Sequence, residues 1–268
     1  MTRANNQAEK HELVRAAVRK QYGKVATGTS SGCCSSGSGC CSPDASASLK
    51  VGYSAKDLVA APEGANLGLG CGNPHALAAL RPGETVLDLG AGGGLDCFLA
   101  AKRVGKAGRV IGVDMTAEMV GKARENARRA KTKNVEFRLG EIEHLPVADG
   151  EVDVILSNCV INLSPDKPAV FREAFRVLKR GGRLAISDVV ATAKLPRKLA
   201  RDAAALTGCI AGAATVDALH AWLKEAGFRQ IRIEVQEESR AAIAEWLPGS
   251  GAEKYAASAM IEATKPRR

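Results

Sequence analysis

From Thr85 onward, short runs of β-branched and aliphatic residues recur along the chain, at Thr85–Leu89, Arg109–Val113, Val135–Leu139, Val152–Leu156 and Arg183–Ser187, with a late pair at Gln230–Val235 and Tyr255–Ala263. Between them, apolar positions at three- and four-residue spacing predict helices at Leu95–Val104, Thr116–Ala130 and Pro168–Lys179, the last stopped by Gly181-Gly182. Such alternation implies βαβ units and an α/β fold: a mainly parallel, seven-stranded sheet with helices on both faces. Upstream, Leu13, Val14, Ala17, Val18 and Tyr22 mark an amphipathic helix over residues 6–24 that packs over the main domain. Thr27–Ser48 is rich in Ser, Gly and Cys and has almost no apolar periodicity, so it cannot bury enough surface to order itself alone. Residues 1–50 are therefore expected to form a helix and a flexible cysteine-bearing arm, and 51–268 the main domain. Pro196–Ala214, Ala-rich and carrying Cys209, breaks the alternation before the last strand pair. A lid over the carboxyl ends of the strands, at about 190–225, is its expected role.

At 268 residues and 46% apolar content, the chain can bury a sizeable core. No stretch approaches the ~18 to 20 continuous apolar residues of a membrane helix, and polar Met1–Lys20 lacks a signal-peptide apolar region, so a cytoplasmic protein without membrane contact is expected. Between Ala100 and Gly140 there are eleven Lys/Arg against four Asp/Glu, within a chain of net charge +9. Aromatics make up only 4%, too few for base-stacking platforms, so this is read as a solvated basic face with no nucleic-acid partner. Eight cysteines without a secretory signal read as ligands, nucleophiles or core residues rather than a disulfide framework.

Val86-Leu87-Asp88-Leu89-Gly90-Ala91-Gly92-Gly93-Gly94 follows a strand and leads into a helix, where glycine lets the backbone approach a ligand. A dinucleotide loop of the G-x-G-x-x-G type needs a glycine at 95, and the chain has Leu95. Asp88 would repel a pyrophosphate but suits an ammonium group. Asp114, ending the next strand, is placed to accept hydrogen bonds from ribose hydroxyls. Together these residues resemble the class I S-adenosylmethionine-dependent methyltransferases, whose fold is Rossmann-like. That resemblance implies S-adenosylmethionine as methyl donor, with Asp88, Gly90, Gly92 and Gly94 at its methionine portion and Met115 on adenine. It also implies Glu141 and Ile142 at the adenine edge, and Asn158 beside the cofactor.

Cys71, Cys159 and Cys209 stand alone in Leu67-Gly68-Leu69-Gly70-Cys71-Gly72-Asn73-Pro74, Ser157-Asn158-Cys159-Val160-Ile161-Asn162-Leu163 and Leu206-Thr207-Gly208-Cys209-Ile210. Thiolates select soft centres, and three of them without a His set or Cys-x-x-Cys pair do not look like a zinc site. The expected guest is a three-coordinate, thiol-loving ion. With Gly52-Tyr53-Ser54, Pro62-Glu63-Gly64-Ala65-Asn66 and Asp166-Lys167, these segments resemble the arsenite methyltransferases across nearly the whole chain. The resemblance implies that Cys71, Cys159 and Cys209 bind trivalent arsenic, arsenite and then methylarsenite. A fourth, upstream cysteine assists; among Cys33, Cys34, Cys40 and Cys41, spacing to Cys71 favours Cys40 or Cys41. A thiol reductant such as thioredoxin or glutathione and a monomeric enzyme are also expected. No extra C-terminal domain, as in longer relatives, is expected after the last strand.

The chemistry can be reasoned directly. Arsenic held by three sulfurs is pyramidal and keeps a lone pair, so a thiolate cradle leaves its nucleophilic electrons free. Alignment and exclusion of water then matter more than acid–base help. His11, His75, His144 and His220 accordingly form no constellation in the sequence, and Cys97, inside a helix, reads as a core residue. Two rival readings make opposite demands. A non-catalytic thiol buffer for arsenite or antimonite has no use for Asp88, Gly90, Gly92 and Asp114; a methyltransferase acting on carbon, oxygen or nucleic acid has none for the cysteines.

Overall fold

The computed structural model describes residues 3–29, 45–200, 205 and 209–268, so Cys33, Cys34, Cys40 and Cys41 lie outside the described residues. The strands are β1 (Thr85–Leu89), β2 (Arg109–Asp114), β3 (Val135–Leu139), β4 (Val152–Asn158), β5 (Leu178–Ala191), β6 (Ala214–Thr215), β7 (Arg229–Gln236) and β8 (Ala256–Thr264). They form one sheet in the order β3-β2-β1-β4-β5-β8-β7, with β6 paired to β5. Neighbours from β3 to β5 are parallel, and β8 runs antiparallel to both β5 and β7. The sheet thus has eight strands rather than seven, the addition being the two-residue β6.

Helices in the order α1 (Arg3–Ala26), α2 (Ala45–Lys50), α3 (Ala55–Ala60), α4 (His75–Ala78), α5 (Leu95–Val104), α6 (Ala117–Arg129) and α7 (Lys167–Val177) precede β5. Strand side chains alternate between faces, and both faces are covered, which explains the nearly unbroken apolar runs. Val86, Val110 and Val154 pack with Cys97, Phe98 and Ala123 of α5 and α6. Leu87, Ile111 and Ile155 pack in the opposite layer, with Phe171 and Val177 of α7 and Leu219 and Leu223 of the helix Val216–Ala226.

The boundaries around β5 differ from the sequence reading, which expected that strand over Arg183–Ser187 alone. The helix expected over Pro168–Lys179 ends at Val177, and Gly181-Gly182 lie inside β5 instead of stopping a helix. A Cβ on Gly182 would stand 2.9 Å from the carbonyl oxygen of Asp153, so glycine there permits close approach to β4. Between β1 and β4 the strand order reverses, and a crevice opens at their carboxyl ends, as such switch points dictate. Helix α1 lies over it: Val18 is buried beside the crevice, and Lys122 of α6 donates to the Ala26 carbonyl at its end.

Candidate active site

The loop after β1 is bolted to β2, with Gly90 N and Ala91 N donating to the Val113 carbonyl at 2.8 and 3.0 Å. Gly92 N and Thr116 N donate to the two oxygens of Asp114 at 3.0 and 2.8 Å, which fixes that carboxylate at the strand end. A Cβ on Gly93 would stand 2.6 Å from the Ala65 carbonyl oxygen, so the Pro62–Asn66 segment closes on the loop only because residue 93 is glycine. Gly94 faces the rings of Phe98 and Phe137 rather than the crevice.

Of the residues expected at the cofactor, Asp88, Gly90, Gly92, Asp114, Met115, Ile142 and Asn158 line the crevice. Glu141 does not: it pairs with Arg15 at 3.2 Å and Arg19 at 3.5 Å, while the buried Glu143 lines the crevice instead. Asp96 joins Asp88 and Asp114, so three buried or nearly buried carboxyls face one cavity. Burial, then the neighbouring Asp96, pushes Asp88 well above the usual carboxylate range. Burial also raises Asp114, against the opposing N–H groups of Thr116 and Gly92. The one cation lining the crevice among the described residues is Arg15, already paired with Glu141 and Glu143. A cavity so charged fits a cationic ligand carrying hydroxyls, which describes S-adenosylmethionine.

A second hydrogen-bonded chain leads from the acids to the cysteines. Ser54 caps α3 through a reciprocal bond with Asp57, which sets the turn that buries Tyr53. Tyr53 Oη donates to Asp96 at 2.6 Å and accepts from Asn158 Nδ2 at 2.9 Å. Asn158 Nδ2 also donates to the Gly72 carbonyl at 2.8 Å, and Asn158 Oδ1 accepts from Cys71 N at 3.0 Å. His75, fully buried, places Nε2 3.1 Å from Asp96.

The structure brings all three expected thiols together. Cys71, Cys159 and Cys209 are buried in one cluster and unoxidised. Cys159 follows β4, with its N–H donating to the Ser187 carbonyl at 2.8 Å, and it alone of the three lines the crevice. Hydrogen bonding with Cys209 and Cys71, then burial, pushes the Cys159 thiol well above its usual range. Cys209 Sγ donates to the Cys159 carbonyl at 2.8 Å. Cys71 is held by the close contact of Gly72 with β5, where a Cβ would stand only 1.9 Å from Ser187 Oγ. Cys159 and Cys209 have φ of 59° and 63°, a left-handed backbone that bulky residues rarely adopt.

The sequence reading missed Asp188. Its carboxylate, with the sulfurs of Cys71 and Cys159, forms a group whose ligand atoms lie within 4.8 Å of one another. Burial raises it to about 6. Its signal was present, since Asp188 directly follows the apolar run Arg183–Ser187 expected for the fifth strand, much as Asp114 follows Arg109–Val113. Cys97 points elsewhere, its thiol donating to Asp88 at 3.2 Å.

Fold and acid-lined crevice together define a class I S-adenosylmethionine-dependent methyltransferase, and residues 80–227 match the family model described as a methyltransferase domain. An arsenite methyltransferase of Halobacterium salinarum is 53% identical over 96% of this chain, covering 68% of that relative. Another from Aquipseudomonas alcaligenes is 51% identical over 48% of the chain and 39% of its own length. The crystal structure of an arsenic(III) S-adenosylmethionine methyltransferase from Chlamydomonas reinhardtii superposes with a TM-score of 0.62 at 33% identity, covering 82% of this chain and 74% of that one. The chain belongs to the arsenite methyltransferases. Among the described residues, no helix is long and apolar enough to cross a membrane.

Proposed function

We propose that the chain methylates trivalent arsenic, arsenite first and methylarsenite next, held by Cys71, Cys159 and Cys209. The observation that carries this reading is the double position of Cys159, which lines the cofactor crevice and lies within hydrogen-bonding reach of both other thiols. An ion held there faces the crevice while its sulfur ligands stay behind it. When bound, S-adenosylmethionine supplies an electrophilic sulfonium methyl, and the substrate arsenic supplies the lone pair. Asp114 would take the ribose hydroxyls, Met115 and Ile142 the adenine, and Asp88, Asp96 and Tyr53 the cationic methionine end.

Loading of the thiols needs no external base. Each S–H proton leaves with an arsenite hydroxyl as water, so a Cys159 thiol kept protonated by its neighbours is suited to the exchange. The chain's further contribution is alignment and a dry surrounding, effects that supply roughly 7 to 11 kcal/mol in favourable cases. The segment at about 190–225 acts as the closing element, because it delivers Cys209 to the Cys159 carbonyl. A member of Cys40 and Cys41 assists arsenite binding from the N-terminal arm. The free thiols of Cys71, Cys97, Cys159 and Cys209 suit a reducing, cytoplasmic setting and a reductant such as thioredoxin or glutathione; the enzyme acts as a monomer.

Each methyl added to arsenic occupies a position that a thiolate held, and this gives the test. With labelled cofactor and products separated by methyl count, Cys209→Ser is expected to stop methylation of both arsenite and methylarsenite. Cys71→Ser should block arsenite and spare methylarsenite. Equal loss of both activities in Cys71→Ser would remove Cys71 as the ligand used by arsenite alone.

A further inference from the structure

The arsenic reading leaves the Asp188 carboxylate without a purpose toward the ion. Trivalent arsenic on three thiolates is already neutral and makes no use of a carboxylate as a further anionic ligand. A divalent cation changes this arithmetic: two thiolates and a carboxylate bring three negative charges against two positive ones, and sulfur with carboxylate oxygen is a donor set that zinc accepts. We propose that Cys71, Cys159 and Asp188 form a site for a borderline-soft divalent cation of the zinc class, which competes with arsenite for the same two sulfurs. This rests on the reading that arsenite binds Cys71 and Cys159.

The geometry supports it at three points. The ligand atoms lie within 4.8 Å of one another and all three residues are buried; Zn–S bonds of about 2.3 Å put tetrahedral sulfur ligands about 3.7 Å apart, so closure needs a contraction of about 1 Å at most. The carboxylate is already oriented as metal ligands usually are, by donors behind it. Ile161 N donates to Oδ2 at 2.9 Å, while Asn162 Nδ2 and Val189 N donate to Oδ1 at 2.9 and 2.8 Å. A carboxylate has about four acceptor positions, so one on Oδ2 remains. Lys167, the cation that acts on Asp188 electrostatically, donates its ammonium hydrogens to the carbonyls of Asn162 and Ser164 at 3.4 and 3.0 Å. Cys209 stands beside Cys159, so its sulfur is at hand as a fourth ligand.

Cadmium(II) is the probe, in the full chain with Cys33, Cys34, Cys40 and Cys41 replaced by Ser so that the N-terminal thiols do not contribute. One cadmium per chain is expected, with thiolate-to-metal charge-transfer absorption and a cadmium NMR shift in the mixed sulfur–oxygen range, and excess arsenite should displace it one for one. Asp188→Asn should weaken cadmium by about tenfold or more, the scale for groups that complete or orient a metal site, while arsenite affinity changes much less. An all-sulfur cadmium shift would overturn the proposal and leave Asp188 as a structural anchor of the Ile161–Leu163 turn; so would equal loss of cadmium and arsenite in a folded Asp188→Asn. If that variant does not fold, the shift in the chain retaining Asp188 decides. If cadmium binds as described but arsenite fails to displace it even with Cys40 and Cys41 restored, the arsenic cradle is wrong and the cation site stands.

Discussion

The two ends of the crevice are built by opposite means. At the cofactor end the backbone must approach the ligand, and the positions with positive φ, Gly90 at 67° and Gly92 at 50°, are glycines that carry no steric penalty. At the thiol end the same backbone region is occupied by Cys159 and Cys209, where the proposed arsenic site calls for the side chain itself. A left-handed residue with a Cβ costs about 1 to 2 kcal/mol. The cofactor end is a generic cradle that removes side chains; the thiol end is a specific one that keeps them under strain.

This contrast breaks most sharply at Cys159. Cys159→Ser keeps the shape and the backbone but loses the soft donor, so methylation of arsenite and methylarsenite should both fall by at least ~100-fold, the scale of a misplaced reacting group. Cofactor affinity measured by calorimetry should hardly move. Retained turnover of either substrate would dismantle the thiol cradle. The complementary variant is Gly93→Ala, whose Cβ would meet the Ala65 carbonyl at 2.6 Å. Overpacking against backbone costs about 1 to 3 kcal/mol, so cofactor Kd should rise roughly 10- to 100-fold with arsenite binding intact. Equal damage to both ligands would mean the two ends are not separable.

A pH experiment sharpens the comparison by sign. Burial raises Asp114 above its usual range, so the folded, cofactor-free chain binds that proton more tightly than the unfolded one. Its contribution to stability is therefore fully present below about pH 4, the unfolded value, and is lost as pH rises through the raised value. On the role proposed for Asp114, cofactor binding uses the carboxylate, so affinity should climb over that same window. Subtracting the pH profiles of Asp114→Asn from those of the native chain, by thermal melts and by calorimetry, should give slopes of opposite sign; parallel slopes would take Asp114 out of the cofactor site.

Smaller effects follow outside the two cradles. Arg15→Gln loosens α1 from Glu141 and leaves the buried Glu143 with Ser164 as its partner, at 2.7 Å. A loss of about 1 kcal/mol, roughly fivefold in cofactor affinity, is expected. An unchanged Kd would show that α1 covers the crevice without holding it. Cys97→Ser should change activity by no more than about twofold, because the hydroxyl still donates to Asp88. The same exchange that abolishes function at 159 is thus nearly silent at 97, and a large loss there would refute the division of the cysteines.

The cofactor end was also the more legible in the sequence. Its strands have buried faces with plain apolar periodicity, and its glycines and strand-end acids sit where the fold always uses them, so β1, β3 and α5 match their expected limits. What escaped depends on contacts far apart in the chain. Arg15 reads as any charge on a helix until α1 is seen against Glu141 and Glu143, 126 and 128 residues later. Glu143 escaped because spacing cannot tell which of two nearby acids turns inward. Gly181-Gly182 read as a helix stop because glycine marks both chain ends and close strand approaches. Asp188 was hidden because the fifth strand was ended at Ser187, one residue short of the acid, whereas β5 runs to Ala191.

The left-handed cysteines carry a warning for anyone engineering this enzyme toward heat resistance. Positions 159 and 209 are where a backbone-guided redesign would first place glycine or asparagine, which adopt such angles at little cost. Each replacement would relieve the backbone strain, and each would remove a sulfur from the proposed arsenic site. Ranked by backbone strain alone, the best variants in such a library would be the inactive ones, so the library has to be screened for turnover before it is screened for heat.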